Sequence, residues 1–180
     1  MAEIKPIRQA VSEDSLFRVL WNWFNSGAGK KSHSLKILTA FVSDKAIDAI
    51  SPLLDVFLAD GNHVEIIFGI DRGGTNRDAI HRLRALQTAH AQRTSISMFR
   101  APAAGSIFHP KLYIYEAGRQ ISFISGSANL TLSGLGSNLE SLLLFENAHQ
   151  KPKRKGMAAN QASVDRCIAP NSEVFVGHSQ

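Results

Sequence analysis

Short apolar runs alternate with helical patterns along the first hundred residues, and this alternation constrains the fold more than any other feature. The segments between the runs carry apolar residues at helical spacing behind the N-cap candidates Ser43 or Asp44, and Thr75. The β-α-β-α-β order predicts parallel strands joined by helices that pack on the sheet. Functional residues of such sheets gather beyond the carboxyl ends of the strands. Three runs have the length of buried strands: 35–42, 64–70 and 95–99.

The second half of the chain predicts antiparallel additions to this sheet. Strands at 111–115 and 121–124 are joined by a short link that contains Gly118, which is typical of a hairpin. The apolar run 139–145 predicts another core strand. The expected fold is therefore α/β, with a mixed, largely parallel β-sheet flanked by helices on both faces.

The length of 180 residues and an apolar content of 44% suit one domain. Because the apolar periodicity fades beyond Asn147, we expect one domain at 1–147 with its core at 35–145. Residues 148–180 form a basic C-terminal extension, for which poor order is one interpretation. A single cysteine, Cys167, excludes an intrachain disulfide and a Cys-rich zinc site.

Charge and hydropathy narrow the classes of partner. The 20 basic side chains exceed the 15 acidic ones, and residues 71–119 hold eight of the basic and three of the acidic residues. A local positive excess favours an anionic partner such as a nucleic-acid backbone. No apolar run approaches the roughly 18 residues of a membrane span, and the N-terminus does not resemble a secretory signal. We therefore expect a cytoplasmic protein with no membrane partner.

The most informative chemistry lies between 108 and 140. His109 and Lys111 are two residues apart at the start of a predicted strand, so both side chains project to the same face. An imidazole beside an ammonium is a nucleophile or proton carrier next to an anion clamp. Glu140, farther along the chain, supplies a carboxylate that could orient the imidazole through its second nitrogen.

The segment Gly126-Ser127-Ala128-Asn129 follows the next predicted strand, which the hairpin brings alongside. Gly126 permits close backbone approach, while the Ser127 hydroxyl and the Asn129 amide suit phosphate oxygens without a metal. Each motif alone is common, and a lone Gly-Ser-x-Asn usually marks a turn. Their combination on adjacent predicted strands is what indicates a phosphate-handling site.

These motifs resemble the signature of the phospholipase D superfamily, which is His-x-Lys followed by Gly-Ser-x-Asn. The sequence is most similar to the single-motif bacterial nucleases, which include metal-independent type IIS restriction endonucleases. The resemblance covers about 35–145 and is carried by five segments: 39–41 (TAF), 69–75 (GIDRGGT), 108–113 (FHPKLY), 126–131 (GSANLT) and 134–140 (GLGSNLE).

The resemblance implies a phospholipase D-like α/β/α sandwich and a set of catalytic roles. His109 is the expected nucleophile and forms a phosphohistidine intermediate. Lys111 and Asn129 are expected to bind the non-bridging oxygens with help from Ser127, and Glu140 to hold and polarise His109.

Family active sites contain two motifs, and this chain has one. The resemblance therefore implies a homodimer in which two copies of His109 face each other, one attacking while the other protonates the leaving oxygen. It implies no metal and no other cofactor.

Four features depart from the family pattern or stay open. Glu116 stands where many members carry Asp, five residues after the lysine. The chain has no room for a DNA-recognition domain, so a nuclease of this kind is non-specific, or a targeting subunit directs it, or the chain is a fragment. Arg72 is a candidate phosphate ligand, and a turn-stabilising role is an equal alternative. Three arginines on the following predicted helix fit a solvated face better than a phosphate-binding stripe: Arg77, Arg82 and Arg84.

The leading hypothesis is a metal-independent endonuclease that hydrolyses DNA, with RNA as a further candidate substrate. The first alternative is a phospholipid phosphodiesterase, disfavoured because the sequence lacks an amphipathic membrane-docking helix. The second is a non-catalytic nucleic-acid-binding module of a restriction or defence system, disfavoured because the catalytic set is intact.

Overall fold

The computed structural model describes residues 3–10, 13–26, 32–103, 105–149 and 172–174. They form three α-helices, α1 (Leu16–Asn25), α2 (Asp44–Ala59) and α3 (Arg77–Ala89). The strands are β1 (Glu3–Ile7), β2 (His33–Thr39), β3 (His63–Gly69), β4 (Thr94–Phe99), β5 (Lys111–Ala117), β6 (Gln120–Gly126), β7 (Leu142–His149) and β8 (Ser172–Val174).

The eight strands form one mixed sheet in the order β1-β7-β6-β5-β2-β3-β4-β8. The predicted α/β class, mixed sheet and β5–β6 hairpin are confirmed. The expected predominance of parallel pairs needs correction, because only β2–β3 and β3–β4 are parallel among the described strands. After β4 the chain crosses to the other side of β2, where β5, β6 and β7 follow as successive antiparallel strands. Strands β1 and β8 form the two edges of the sheet, and each is antiparallel to its neighbour.

All three described helices lie on one face of the sheet. Strands β2, β3 and β4 follow one another across the sheet in one direction, so right-handed crossovers place α2 and α3 on the same side. Side chains of α1, α2 and α3 share one apolar core with the strand residues that face them, such as Ile37 and Ile66. On the other face Leu38 and Ile67 form a smaller cluster with Phe108 and Leu112. Helices on both faces were expected, and the described helices occupy one.

Side-chain caps fix where α2 and α3 begin. Ser43 caps α2 by accepting a hydrogen bond from the Ala46 amide, as predicted. Asn76, not the expected Thr75, caps α3 and accepts from the Ala79 amide. Thr75 is engaged elsewhere, because its hydroxyl donates to the Gly69 carbonyl and accepts from the Val42 amide.

The division of the chain at 147 stays a prediction. Strand β7 continues to His149, and β8 pairs with β4 at the far edge of the sheet. The remainder of the predicted extension, including Cys167, lies outside the described residues. No helix in the described part of the chain is long and apolar enough to cross a membrane.

Candidate active site

The predicted catalytic segments meet at one edge of the sheet. Lys111 opens β5 and lies opposite Thr39, the last residue of β2. Because β3 and β4 run parallel to β2, the turn Asp71–Gly73 after β3 reaches the same edge. Strand β6 is antiparallel to β5 and ends there at Gly126. We call this side of the sheet, where the parallel strands β2, β3 and β4 have their carboxyl ends, the active edge. Functional residues of an α/β sheet are expected there.

His109 and Lys111 are in direct contact. The Lys111 Nζ lies 2.9 Å from each ring nitrogen of His109 and 3.2 Å from the His109 carbonyl oxygen. The lone pairs of the two ring nitrogens diverge, so an equidistant ammonium is not directed at either one. The imidazole is exposed, whereas Lys111 is 9% exposed. Burial lowers the pKa of Lys111, and the charge of Glu140 partly opposes this effect.

Phe41 supports the imidazole from the loop after β2. Its ring meets the His109 ring edge to face, with 6.2 Å between centroids and 77° between planes. Gly74 packs against the Phe41 ring, because a Cβ at that position would overlap it. The glycine after β3 therefore makes room for the aromatic ring that touches the candidate nucleophile.

We expect Gly74→Ala to move Phe41 and, through it, His109. The added methyl group cannot fit beside the unshifted ring, and such overpacking costs about 1–3 kcal/mol. A displaced nucleophile costs on the order of 10²-fold in kcat. Thermal unfolding and steady-state phosphodiester hydrolysis measure the two effects. Gly136→Ala is the matched control, since its methyl group meets nothing within 4 Å; equal behaviour of the two variants would contradict this account.

Asp71 ties the turn after β3 to the loop that leads into His109. Its carboxylate accepts hydrogen bonds from the Ala101 amide at 3.3 and 3.4 Å and from the Phe108 amide at 2.9 Å. Both ends of the loop 101–108 are thereby anchored to one side chain. The sequence interpretation weighed a turn-stabilising role for Arg72, whereas the contacts that hold this turn come from its neighbour Asp71.

Ser127 and Glu140 are in contact on the β6–β7 side of the site. The Ser127 hydroxyl donates to Glu140 Oε2 and accepts from the Ser141 amide at 3.0 Å. Asn138 Nδ2 donates to Glu140 Oε1 at 3.0 Å. Both carboxylate oxygens thus have partners, and Glu140 makes no hydrogen bond to His109 within the described part of the chain. The expected Glu140–imidazole contact therefore stays a prediction.

Gly126 lies against β7. A Cβ there would overlap the Ser141 carbonyl oxygen and come within 2.9 Å of the Leu142 Cα. The close approach that its sequence context predicts is an approach to the neighbouring strand.

A buried polar pair, Thr39 and Tyr113, lies beneath Asn129. The Thr39 hydroxyl donates to the Phe41 carbonyl at 3.0 Å and accepts from the Leu130 amide at 3.1 Å. Asn129 Oδ1 is 3.5 Å from the same hydroxyl, a weaker second contact. The Tyr113 hydroxyl donates to the Ala128 carbonyl at 3.1 Å, and burial raises the pKa of this phenol. The sequence interpretation included both residues in the segments that carry the resemblance but assigned neither a role, although a threonine within an apolar strand is a usable signal.

Gln9 is a further residue to which the sequence interpretation gave no role. It is 1% exposed, and its Nε2 donates to the carbonyls of Gly134 at 2.9 Å and Asn138 at 3.2 Å. Its Oε1 accepts from the Leu16 amide at 2.9 Å. Gln9 therefore fastens the π-helical turn Ser133–Ser137, which leads to Glu140, to the start of α1. No motif marks a lone glutamine, so the sequence carried no signal for it.

Glu116 and Arg72, two further residues that the sequence analysis considered, lie away from the contact between His109 and Lys111. Glu116 lies near the far end of β5, where it accepts from the Ser34 hydroxyl at 3.3 Å and lines a cleft of about 470 Å³ with Lys36 and Arg93. Glu116 is therefore not placed to act as a catalytic carboxylate beside His109. Arg72 is exposed on the turn after β3 and touches none of the catalytic residues. Among the described residues, no group of three or more His, Cys, Asp or Glu side chains is arranged to hold a metal ion.

The fold is shared with solved structures of the phospholipase D superfamily. The phospholipase D family member Nuc from Salmonella typhimurium has a TM-score of 0.60 at 14% identity, over 98% of this chain and all of Nuc. NucT from Helicobacter pylori has a TM-score of 0.52 at 17% identity, over 81% of this chain and 86% of NucT. A phosphatidylserine synthase from Haemophilus influenzae Rd KW20 has a TM-score of 0.61 at 16% identity, over 97% of this chain and 40% of the synthase.

Sequence comparison agrees with the fold. No curated protein sequence matches the chain significantly. Residues 28–156 match the family described as the cardiolipin synthase, PLD-like domain. Since this match spans well over half of the sequence and contains His109, Lys111, Asn129 and Glu140, the chain belongs to this PLD-like family of the phospholipase D superfamily.

Proposed function

We propose that the chain is a metal-independent phosphodiesterase that hydrolyses DNA, with RNA as a further substrate, at a site shared by two copies. The observation that carries the proposal is the exposed imidazole of His109 beside the mostly buried ammonium of Lys111, 2.9 Å away. A nucleophile that substrate can reach, next to a fixed positive charge, suits attack on an anionic phosphorus centre.

The reaction proceeds in two displacements. A ring nitrogen of His109 attacks phosphorus, the bond from phosphorus to the leaving oxygen breaks, and the leaving oxygen takes a proton from a general acid. Water then attacks the phosphohistidine, the phosphorus–nitrogen bond breaks, and the acid, now a base, accepts the proton of the water. No oxidation or reduction occurs in either step.

Polar groups around His109 have separate tasks in this scheme. Lys111 and the Asn129 amide bind the non-bridging oxygens, where negative charge is concentrated in the transition state. Ser127 assists them, and in the ground state its hydroxyl is held by Glu140. Glu140 holds the imidazole once Ser127 turns to the substrate.

A second copy of the chain supplies the general acid. One chain carries one motif, and the reaction needs a nucleophile and a proton donor on opposite sides of phosphorus. Two large apolar side chains are exposed in the loop that joins Ser127 to Glu140, with Leu132 at 50% and Leu139 at 78%. Residues 120–149 contain no Lys or Arg, so two copies could approach here without repulsion between cations.

We expect Leu139→Glu to convert the dimer to a monomer and to lower DNA cleavage about 10²-fold, because the partner's general acid is lost. Sedimentation velocity and cleavage assays on the same samples measure both effects. Val56→Glu is the control, since Val56 is similarly exposed on α2. A wild-type chain that stays monomeric with and without DNA would contradict the shared site.

DNA is preferred over a phospholipid on the basis of charge. Residues 71–119, which lead into the site, carry an excess of five positive charges, and a nucleic-acid backbone offers a matching row of phosphates. The likeness to a phosphatidylserine synthase keeps a phospholipid substrate as the competing outcome.

The deciding experiment compares plasmid DNA, single-stranded DNA and RNA with phosphatidylcholine vesicles in excess EDTA, using wild type and His109→Ala. Cleavage of nucleic acid by wild type alone supports the proposal. Hydrolysis of the vesicles without cleavage of nucleic acid would identify a phospholipid phosphodiesterase. Salt-dependent DNA binding without turnover of any substrate would identify a non-catalytic module.

A further inference from the structure

Two arginines at the active edge have no partner within the described part of the chain. Several other arginines are engaged: Arg18 with Glu13, Arg82 with Asp48, and Arg93 with the Gly61 carbonyl. Arg72 and Arg100 are exposed and form neither a hydrogen bond nor an ion pair with any described residue. Their positive charges are therefore available to a ligand.

The two arginines lie on neighbouring loops. Arg72 is in the turn after β3, and Arg100 directly follows β4, its parallel neighbour. The Ile70 amide donates to the Phe99 carbonyl at 3.1 Å, which holds the two strand ends together. The carboxylate nearest in sequence, Asp71, accepts hydrogen bonds from the amides of Ala101 and Phe108 and forms no ion pair with either arginine.

The same contacts relate the arginines to the catalytic residues. Asp71 holds the amide of Phe108, the residue before His109. Across the order β5-β2-β3-β4, a strand spacing of about 4.8 Å places the end of β3 about 10 Å and the end of β4 about 14 Å from Lys111. Lys111, Arg72 and Arg100 thus form a row of positive charge that extends to one side of the nucleophile.

The opposite side of the nucleophile has a different character. It is built from β6, β7 and the loop between them, where residues 120–149 contain no Lys or Arg and Leu132 and Leu139 are exposed. The active edge is therefore cationic towards β4, whereas towards β7 it carries the Ser127–Glu140 pair.

The backbone at Arg72 points to a role outside folding. Its φ of 55° lies in the left-handed region, which disfavours residues that carry a Cβ. The exposed side chain forms no hydrogen bond or ion pair among the described residues that would offset this cost. Unfavourable backbone conformations of this kind concentrate at ligand-binding sites.

We propose that Arg72 and Arg100 bind the phosphates that flank the scissile bond of one nucleic-acid strand, which runs from His109 towards the end of β4. The inference rests on the proposed phosphodiesterase function and names its substrate class. A nucleic-acid strand places a phosphate at every nucleotide along such a row, whereas a phospholipid such as phosphatidylcholine presents one phosphodiester at the site.

The test compares a substrate with flanking phosphates to one without them. Arg72→Ala, Arg100→Ala and the double variant are assayed in excess EDTA on a short single-stranded DNA and on bis(p-nitrophenyl) phosphate. We expect the ratio of kcat/KM for the DNA to kcat/KM for the small ester to fall about tenfold for each substitution. The slope of log binding constant against log salt should lose about 0.7 for each arginine removed.

Arg119→Ala is the matched control, because Arg119 is exposed in the β5–β6 turn, at the end of β5 that lies away from Lys111. An unchanged ratio in the two active-edge variants would overturn the proposal, and so would equal losses on both substrates or an equal fall for Arg119→Ala.

Failure of the catalytic proposal is distinguishable from failure of this one. If the wild type hydrolyses neither substrate, fluorescence anisotropy of the same labelled single-stranded DNA decides the matter. Weaker binding by Arg72→Ala and Arg100→Ala than by Arg119→Ala then supports the arginine row, and equal binding by all three refutes it.

Discussion

In excess EDTA, the His109→Ala variant is expected to lose at least about 10⁴-fold in DNA cleavage rate, whereas the wild type cleaves at full rate. Losses of this size follow when a covalent nucleophile is removed and the binding groups remain. His109 is exposed and is supported by Lys111 and Phe41, so alanine deletes the reacting nitrogen with little effect on the core. Initial rates on single-stranded DNA measure the change.

The control for this experiment is His81→Ala, since His81 is exposed on α3 and away from the motif. Base-quenched reactions with labelled DNA should leave label on the wild type and none on His109→Ala, because a phosphohistidine needs the imidazole. Undiminished cleavage by His109→Ala would refute the assignment of the nucleophile. Loss of wild-type cleavage in EDTA would refute metal independence.

Lys111→Met is expected to lower kcat by about 10²–10³-fold, corresponding to about 2.7–4 kcal/mol of transition-state stabilisation. Methionine fills a similar volume but cannot neutralise a phosphate oxygen. Burial lowers the pKa of Lys111, so the protonated side chain destabilises the folded state at neutral pH. The variant should therefore be as stable as the wild type, or more so, while it loses activity.

The same lowered pKa predicts the alkaline limb of the activity profile. Lys111 loses its proton below the ordinary pKa of lysine, so wild-type activity should begin to fall below that value. Lys5→Met, on the exposed edge strand β1, is the charge-matched control. If Lys111→Met cleaves at the wild-type rate, or if its loss of activity follows a loss of stability, Lys111 does not bind the phosphate.

Local patterns were enough to predict the elements that build the active edge. The apolar runs of β2 and β3 and the Ser43 cap of α2 depend on neighbouring residues, and the structure confirms them. Local patterns cannot choose between two capping residues that are next to each other in the sequence. Thr75 and Asn76 are both good caps, and tertiary hydrogen bonds to Val42 and Gly69 take Thr75 and leave Asn76 to cap α3.

Long-range contacts account for what the sequence did not predict. Gln9 is 125 residues from Gly134, and Asp71 is 37 residues from Phe108, so neither contact produces a local pattern. The pairing of β1 with β7 adds a strand that precedes the family match at 28–156, and it shifts the sheet towards antiparallel pairs. Motif spacing could identify His109 and Lys111, but their supports depend on which strands become neighbours.

The Asp71 anchor has a consequence for how this active site can diversify. One carboxylate holds both ends of the segment between Ala101 and Phe108, so we expect the position of His109 to tolerate changes in the residues within it. That segment can change in length and composition without disturbing the nucleophile, as exposed loops on a rigid scaffold generally can. It is therefore a natural insertion point beside the cationic row, where a short graft could add a sequence preference to the enzyme.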